Sequence, residues 1–174
     1  MVTFSTFKLA TVLIRNTQRA VRLDVKLFDQ HVQQLMRLFE LQQFDVAVLL
    51  IGQAKMAEIN TRFNPDAKDA TDILSFPFHE NLRASLSSKS ILPWECDLGD
   101  IFICPKMICQ RFDKSILQEQ LPVYVTHGIC HLLGYIHDDE KSQIEMHIKE
   151  RDILEKFNRA NGYYCLPLTP PSNK

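Results

Sequence analysis

The sequence predicts an α/β (α+β) fold in which a small mixed β-sheet is packed with helices. Three observations point there. Short β-branched runs alternate with amphipathic stretches along the chain. One of those runs, FDVAVLLIG (44–52), is apolar almost throughout and closed by glycine. And HGICHLLGYIH (127–137) carries three histidines at a metal-ligand spacing, which puts a metal site at the end of a helix.

Taken in order, TVLIRN (11–16) reads as a first strand, followed by the basic connector QRAVR. Lys8, Arg15, Arg19, Arg22 and Lys26 face only Asp24 among the first 26 residues, a patch that suits either a solvated face or phosphate contacts. Asp24 can cap a helix running to about Leu41, whose Phe28, Val32, Leu35, Met36 and Phe39 form one buried stripe. FDVAVLLIG then reads as a strand covered on both faces. A second helix, about 53–63, breaks at Asn64-Pro65, and DILSFPF (72–78) returns to strand. Pro77 cannot donate to a sheet ladder, so that strand belongs at an edge.

The Ser-rich stretch 79–97 lacks periodicity and reads as a flexible excursion or a lid, with Trp94 either buried as its anchor or stacking on unpaired bases. LGDIFIC (98–104) is a further strand, and Pro105 suits the first turn of the helix after it. From Pro122 a helix carries the first two motif histidines. A charged helix covers about 139–160, supported by Glu145/Lys149, Asp152/Lys156 and Glu155/Arg159.

The 174 residues suit one domain, 1–174, with about 162–174 as a non-helical, proline-containing tail. A net charge of −1 offers no global basic field, so DNA is not an expected partner. Cys96, Cys104, Cys109, Cys130 and Cys165 contain no CxxC pair, and reduced, mostly buried thiols are expected. The start of the chain does not resemble a signal peptide, and no run approaches the ~20 apolar residues of a membrane span. A cytoplasmic protein with no membrane partner is expected.

On a helix, His127 and His131 differ by about 40° in azimuth and one turn in height, so both imidazoles can reach one ion. Gly134 can take the left-handed conformation that ends the helix, letting His137 approach from a new direction. Three imidazoles suit one Zn2+ with a position open for water, the arrangement of a catalytic site. Cys130 could close that position, but its azimuth lies about 100° from His131, and it is expected in the core. His31, His79 and His147 lack such company and are expected in surface or packing roles.

Zinc peptidases with a His-Glu-x-x-His helix carry their general base directly after the first histidine. Here that place is Gly128. Peptide hydrolysis is thereby disfavoured, unless Asp138 or a distant carboxylate substitutes. Phosphodiester cleavage asks less of the protein, because zinc can acidify water and neutralise phosphate charge.

HGICHLLGYIH closely resembles the motif of the YbeY family, metal-dependent endoribonucleases of ribosomal RNA maturation. ATDILSFPF (70–78) and LGDIFIC (98–104) agree in the same order, with a weaker match at EINTRF (58–63). The resemblance implies that His127, His131 and His137 are zinc ligands. It also implies an endoribonuclease acting on single-stranded RNA, including small-subunit ribosomal RNA 3′-end processing and ribosome quality control, with the ribosomal small subunit as partner. The implied fold is a compact α/β sandwich with the metal at the mouth of a groove.

Two departures stand out. Where the family has tyrosine–arginine–glycine ahead of the LSFPF strand, this chain reads Phe63-Asn64-Pro65. Arg62 is then the candidate catalytic residue, with Lys68 as its alternative. The residue before the third histidine is Ile136 where the family often has aspartate; Asp138 or Asp139 could instead orient a ligand imidazole, or cap the next helix. Ser75 and Asp100 could shape the groove. Two other readings stay open: a zinc peptidase with a base from outside the motif, and a non-enzymatic ribosome-associated factor with structural zinc.

Overall fold

The computed structural model describes residues 10–67, 69–88 and 95–171. A four-stranded sheet in the order β1-β2-β4-β3 forms its centre: β1 (Val12–Asn16), β2 (Asp45–Leu50), β3 (Ile73–Pro77) and β4 (Asp97–Ile103). β1, β2 and β4 run parallel, and β3 lies antiparallel to β4 at the edge. Pro77 ends that edge strand opposite Gly99, where a missing donor costs the ladder nothing.

Helix α1 (Val25–Leu38) starts as the sequence predicts, with Asp24 Oδ1 accepting from the Leu27 amide at 2.9 Å. Phe28, Val32, Leu35, Met36 and Phe39 are all buried. α1 packs with α5 (Leu117–Leu132) and α6 (Glu140–Asn161) over one face of the sheet, closing the main core with Val46, Val48, Leu50, Ile101 and Ile103. α2 (Gln53–Phe63) covers the other face with a smaller cluster of Met56, Ile59, Leu49, Leu74 and Phe102.

That asymmetry corrects the expectation for FDVAVLLIG. β2 alternates buried and half-buried residues, because one short helix cannot cover its second face as fully as three cover the first. The Ser-rich stretch also differs from an irregular lid. It contains α3 (Leu82–Ser88), anchored by the fully buried Leu82; Trp94 lies outside the described residues. Pro105 does open α4 (Pro105–Ile108).

Helix α5 begins five residues before Pro122, after a 3-10 turn at Lys114–Ile116 capped by Asp113. Pro122 therefore sits inside it. The Pro122 carbonyl accepts from Thr126 Oγ1 at 2.8 Å, one turn on. α6 is capped by Asp139, whose carboxylate accepts from the Lys141 and Ser142 amides, so helix capping is the role of this residue. Of the ion pairs expected along α6, Asp152–Lys156 closes at 2.8 Å. Glu145 instead meets Arg83 at 3.2 Å, and Arg159 donates to the Glu155 carbonyl. Arg15, Arg19, Arg22 and Lys26 are all exposed; Lys8 lies outside the described residues. Among the described residues no helix is long and apolar enough to cross a membrane.

Candidate metal centre

The helix that holds the first two histidines stops at a defined place. Gly134 has φ +93°, the Gly134 amide donates to the His131 carbonyl, and the Tyr135 amide donates to the Cys130 carbonyl, each at 2.9 Å. These two bonds are the glycine-terminated cap in which the chain reverses after its last turn. The reversal returns His137 to the face it left. Its ring lies 5.5 Å from His127 and 5.1 Å from His131, centroid to centroid.

One nitrogen from each of His127, His131 and His137 falls within 4.8 Å of the others. Among the described residues no cysteine or carboxylate joins this cluster. Cys130 is fully buried, and burial pushes its thiol well up, in keeping with a core residue.

The imidazoles are held from behind. His127 Nδ1 donates to Glu150 Oε1 at 2.7 Å, and both side chains are almost completely buried. Glu150 is in turn held by Thr169, whose Oγ1 donates to Oε1 at 2.8 Å and whose amide donates to Oε2 at 2.9 Å. Burial by itself would raise the Glu150 carboxyl, but the bonds from His127 and Thr169 bring it below the usual carboxylate value, so it is ionised. His131 Nδ1 donates to the Tyr135 carbonyl at 3.0 Å.

With both Nδ1 atoms committed as donors, each ring presents a bare Nε2. These two acceptor nitrogens stand 3.1 Å apart. Lone pairs at that distance repel unless a cation or proton lies between them. Burial first, then the neighbouring His127 and His137 rings, push His131 down to about 4, so it is neutral at pH 7. Pre-oriented imidazoles, one held by a carboxylate and one by a backbone carbonyl, are the kind of donor set that a zinc-like ion takes.

Gly128 answers the question raised by the missing glutamate. A Cβ there would lie 2.8 Å from Ile101 Cδ1 and 3.0 Å from Cγ2, both on β4. The residue after the first histidine faces the sheet at a close helix–strand contact, and a side chain there would collide with the core before reaching the imidazoles.

Two concavities flank the triad. One, of about 310 Å³, is lined by Arg111, His127, His137, Gln143, Leu168, Thr169 and Pro170. The other, of about 380 Å³, runs along edge strand β3, past Ser75 and Pro77, to His131 and Tyr135. Ser75 Oγ is buried there with no protein hydrogen-bond partner.

The comparisons agree with this geometry. A model of the family described as "Endoribonuclease YbeY" matches residues 13–158, which span the sheet, the histidine triad and Glu150. The chain belongs to the YbeY endoribonuclease family. Among its relatives is the human protein named Endoribonuclease YbeY, 32% identical over 160 residues that cover 91% of this chain and 95% of that one. Another, of the same name, comes from Thermobifida fusca, at 31% identity over 67% of this chain and 74% of its own. In fold, the chain is similar to the solution structure of TM1509 from Thermotoga maritima, with a TM-score of 0.51 at 20% identity, covering 92% of this chain and all of that one.

Set against this YbeY-family site, the sequence-predicted residues divide. His127, His131 and His137 come together. Arg62 does not join them: it is exposed on the last turn of α2, against the opposite sheet face, and lines neither concavity. Lys68 lies outside the described residues. Asp100 is exposed across from Phe76, and His31, His79 and His147 make packing or carbonyl contacts.

Three residues at the site went unread in the sequence. Glu150 left a usable sign, since it breaks the apolar stripe Met146, Ile153, Leu154 and Phe157 on α6. Thr169, in a non-helical tail, and Arg111, just after α4, left none. Asp72 of the ATDILSFPF segment holds Arg111: its Oδ2 lies 3.0 Å from Arg111 Nη1, as an ion pair without hydrogen-bond alignment.

Proposed function

We propose that the protein is a metal-dependent endoribonuclease that uses one Zn2+ to cut single-stranded RNA. The observation that carries this reading is the convergence of the His127 and His131 Nε2 atoms, 3.1 Å apart, with His137 at the junction of two concavities, in a chain of the YbeY family. The physiological substrate we infer is ribosomal RNA, with small-subunit 3′-end processing and ribosome quality control as its setting, the ribosomal small subunit as partner and the cytoplasm as compartment.

His127, His131 and His137 would hold the ion. A bound divalent cation there supplies Lewis acidity towards a phosphodiester and lowers the pKa of water. The chain's own residues do the rest. Glu150 and the Tyr135 carbonyl fix two imidazoles in the tautomer that presents Nε2. Thr169 keeps the Glu150 carboxylate ionised and aimed. The strand-side concavity offers an extended path beside β3, with Ser75 Oγ available to a polar ligand. Gly128, packed on Ile101, leaves the peptidase-base position without room for a carboxylate, which weighs against peptide hydrolysis.

The test is direct. Zinc-loaded protein is incubated with end-labelled single-stranded RNA, duplex RNA, single-stranded DNA and an unfolded protein substrate. Cleavage confined to single-stranded RNA, and lost in His131→Ala, is the expected result. Proteolysis without RNA cleavage would overturn it, and binding to ribosomal subunits with no cleavage of any substrate would favour the structural-zinc reading.

A further inference from the structure

We propose that Arg111 is a phosphate-binding residue of this site, gripping the RNA backbone on the His137 side of the triad. The inference rests on the endoribonuclease reading above and adds a residue that neither the motifs nor the family match single out.

The concavity it lines contains one permanent cation and no carboxylate. Its other side chains are two triad imidazoles, Gln143, Thr169 and apolar Leu168 and Pro170. Such a lining puts no carboxylate in contact with an anion; the carboxylates of Glu150 and Asp72 stand behind it, the first engaged by His127 and Thr169 and the second paired with Arg111. A bridging phosphate held here sits beside both the guanidinium and the imidazoles that would carry the ion.

Arg111 is also pre-oriented. Its Nη1 is tethered to Asp72 Oδ2, while Asp72 Oδ1 accepts from the Ile73 amide at 3.1 Å and from Thr71 Oγ1 at 3.2 Å. Asp72 is itself nearly buried, and the buried Tyr124 phenol, raised to about 12 by burial and then by Asp72's charge, adds no competing anion. That ion pair holds one end of the guanidinium beside Asp72. The Arg111 side chain nonetheless remains 62% exposed, so it is accessible to a ligand in the concavity. A guanidinium has five N–H donors in fixed geometry, enough to serve both partners. Fixing the head group in advance lowers the entropy cost of binding.

A structural role alone, in which Arg111 merely neutralises Asp72, makes a different prediction. The experiment measures binding of a fluorescent single-stranded 2′-O-methyl oligoribonucleotide, with and without zinc, across a salt series. Cleavage of unmodified RNA and zinc affinity are measured on the same samples. Arg111→Ala is expected to weaken RNA binding about tenfold and to flatten the slope of log K against log salt by about 0.7, one phosphate contact's worth for single strands. Arg111→Lys should restore the slope but only part of the affinity, because charge returns without the fork. Zinc affinity should be unchanged in both, and Arg37→Ala, on an exposed turn of α1, should match wild type throughout.

Wild-type affinity and slope in Arg111→Ala would overturn the proposal, and so would failure of the wild type to bind the probe. Should the wild type cleave no RNA while Arg111→Ala still flattens the slope, the endoribonuclease reading falls and the phosphate site stands.

Discussion

Two buried histidines pack against the same stripe of α6, seven residues apart, and have opposite fates. His127 meets Glu150, and His31 on α1 meets Phe157. His127 is clamped by a carboxylate that Thr169 locks in place. His31 sits edge-on to the rings of Phe157 and Tyr163, with its Nδ1 buried and without a hydrogen-bond partner. Both are under 10% exposed, so burial does not distinguish a metal-ligand candidate from a packing residue. The distinction lies in what stands behind the ring. A carboxylate fixes tautomer and orientation and raises basicity, whereas an aromatic edge supplies only contact.

The contrast can be broken most forcefully at His127. His127→Ala removes a ligand and also strands Glu150 as a buried charge with fewer partners. We expect stoichiometric zinc binding to be lost, and the metal-free protein to lose about 3 kcal/mol in urea denaturation. His137→Ala should lose zinc binding too, yet leave metal-free stability near wild type. His137 is exposed, and no hydrogen bond among the described residues holds its ring. Equal destabilisation by the two substitutions would mean that the clamp contributes nothing of its own.

Glu150→Gln keeps the shape and removes the charge. Chelator competition should show zinc affinity falling by about 10- to 100-fold, and an unchanged affinity would reduce Glu150 to a packing role. Thr169→Val should cost less, about 1 kcal/mol of stability and a few-fold in zinc affinity, since the backbone amide bond to Oε2 persists.

The smallest effect belongs to His31. Burial lowers its pKa below the ordinary 6.5, so the unfolded chain binds more protons as pH falls through that value. Its contribution to stability is therefore intact above pH 6.5 and is lost progressively below it. His31→Leu should lessen the acid-side loss of melting temperature in the metal-free protein while leaving zinc affinity untouched. A change in zinc affinity would erase the contrast with His127.

Most of the scaffold was readable because local rules decide it. Asp24 caps α1, Pro105 opens α4, and Pro77 marks an edge strand, each through a backbone donor that is supplied or missing within a few residues. Where local rules misled, packing had overruled them. The proline rule predicts a helix start at Pro122, yet α5 runs through it, buried on nearly every side between the sheet and helices α1 and α6. The apolar run of β2 predicts cover on both faces, and it has it, but the face under the smaller α2 is only half-buried.

By itself the sequence determined the histidine triad, because spacing on one helix and a glycine at its end are local geometry. Only the tertiary structure decided what stands around it. Glu150, Thr169 and Arg111 arrive from 23, 42 and 16 residues away from His127, and Gly128 is set by a strand that precedes it. Contacts of that kind depend on how α6, the tail and β4 fold back on α5, and no periodicity in the chain records them.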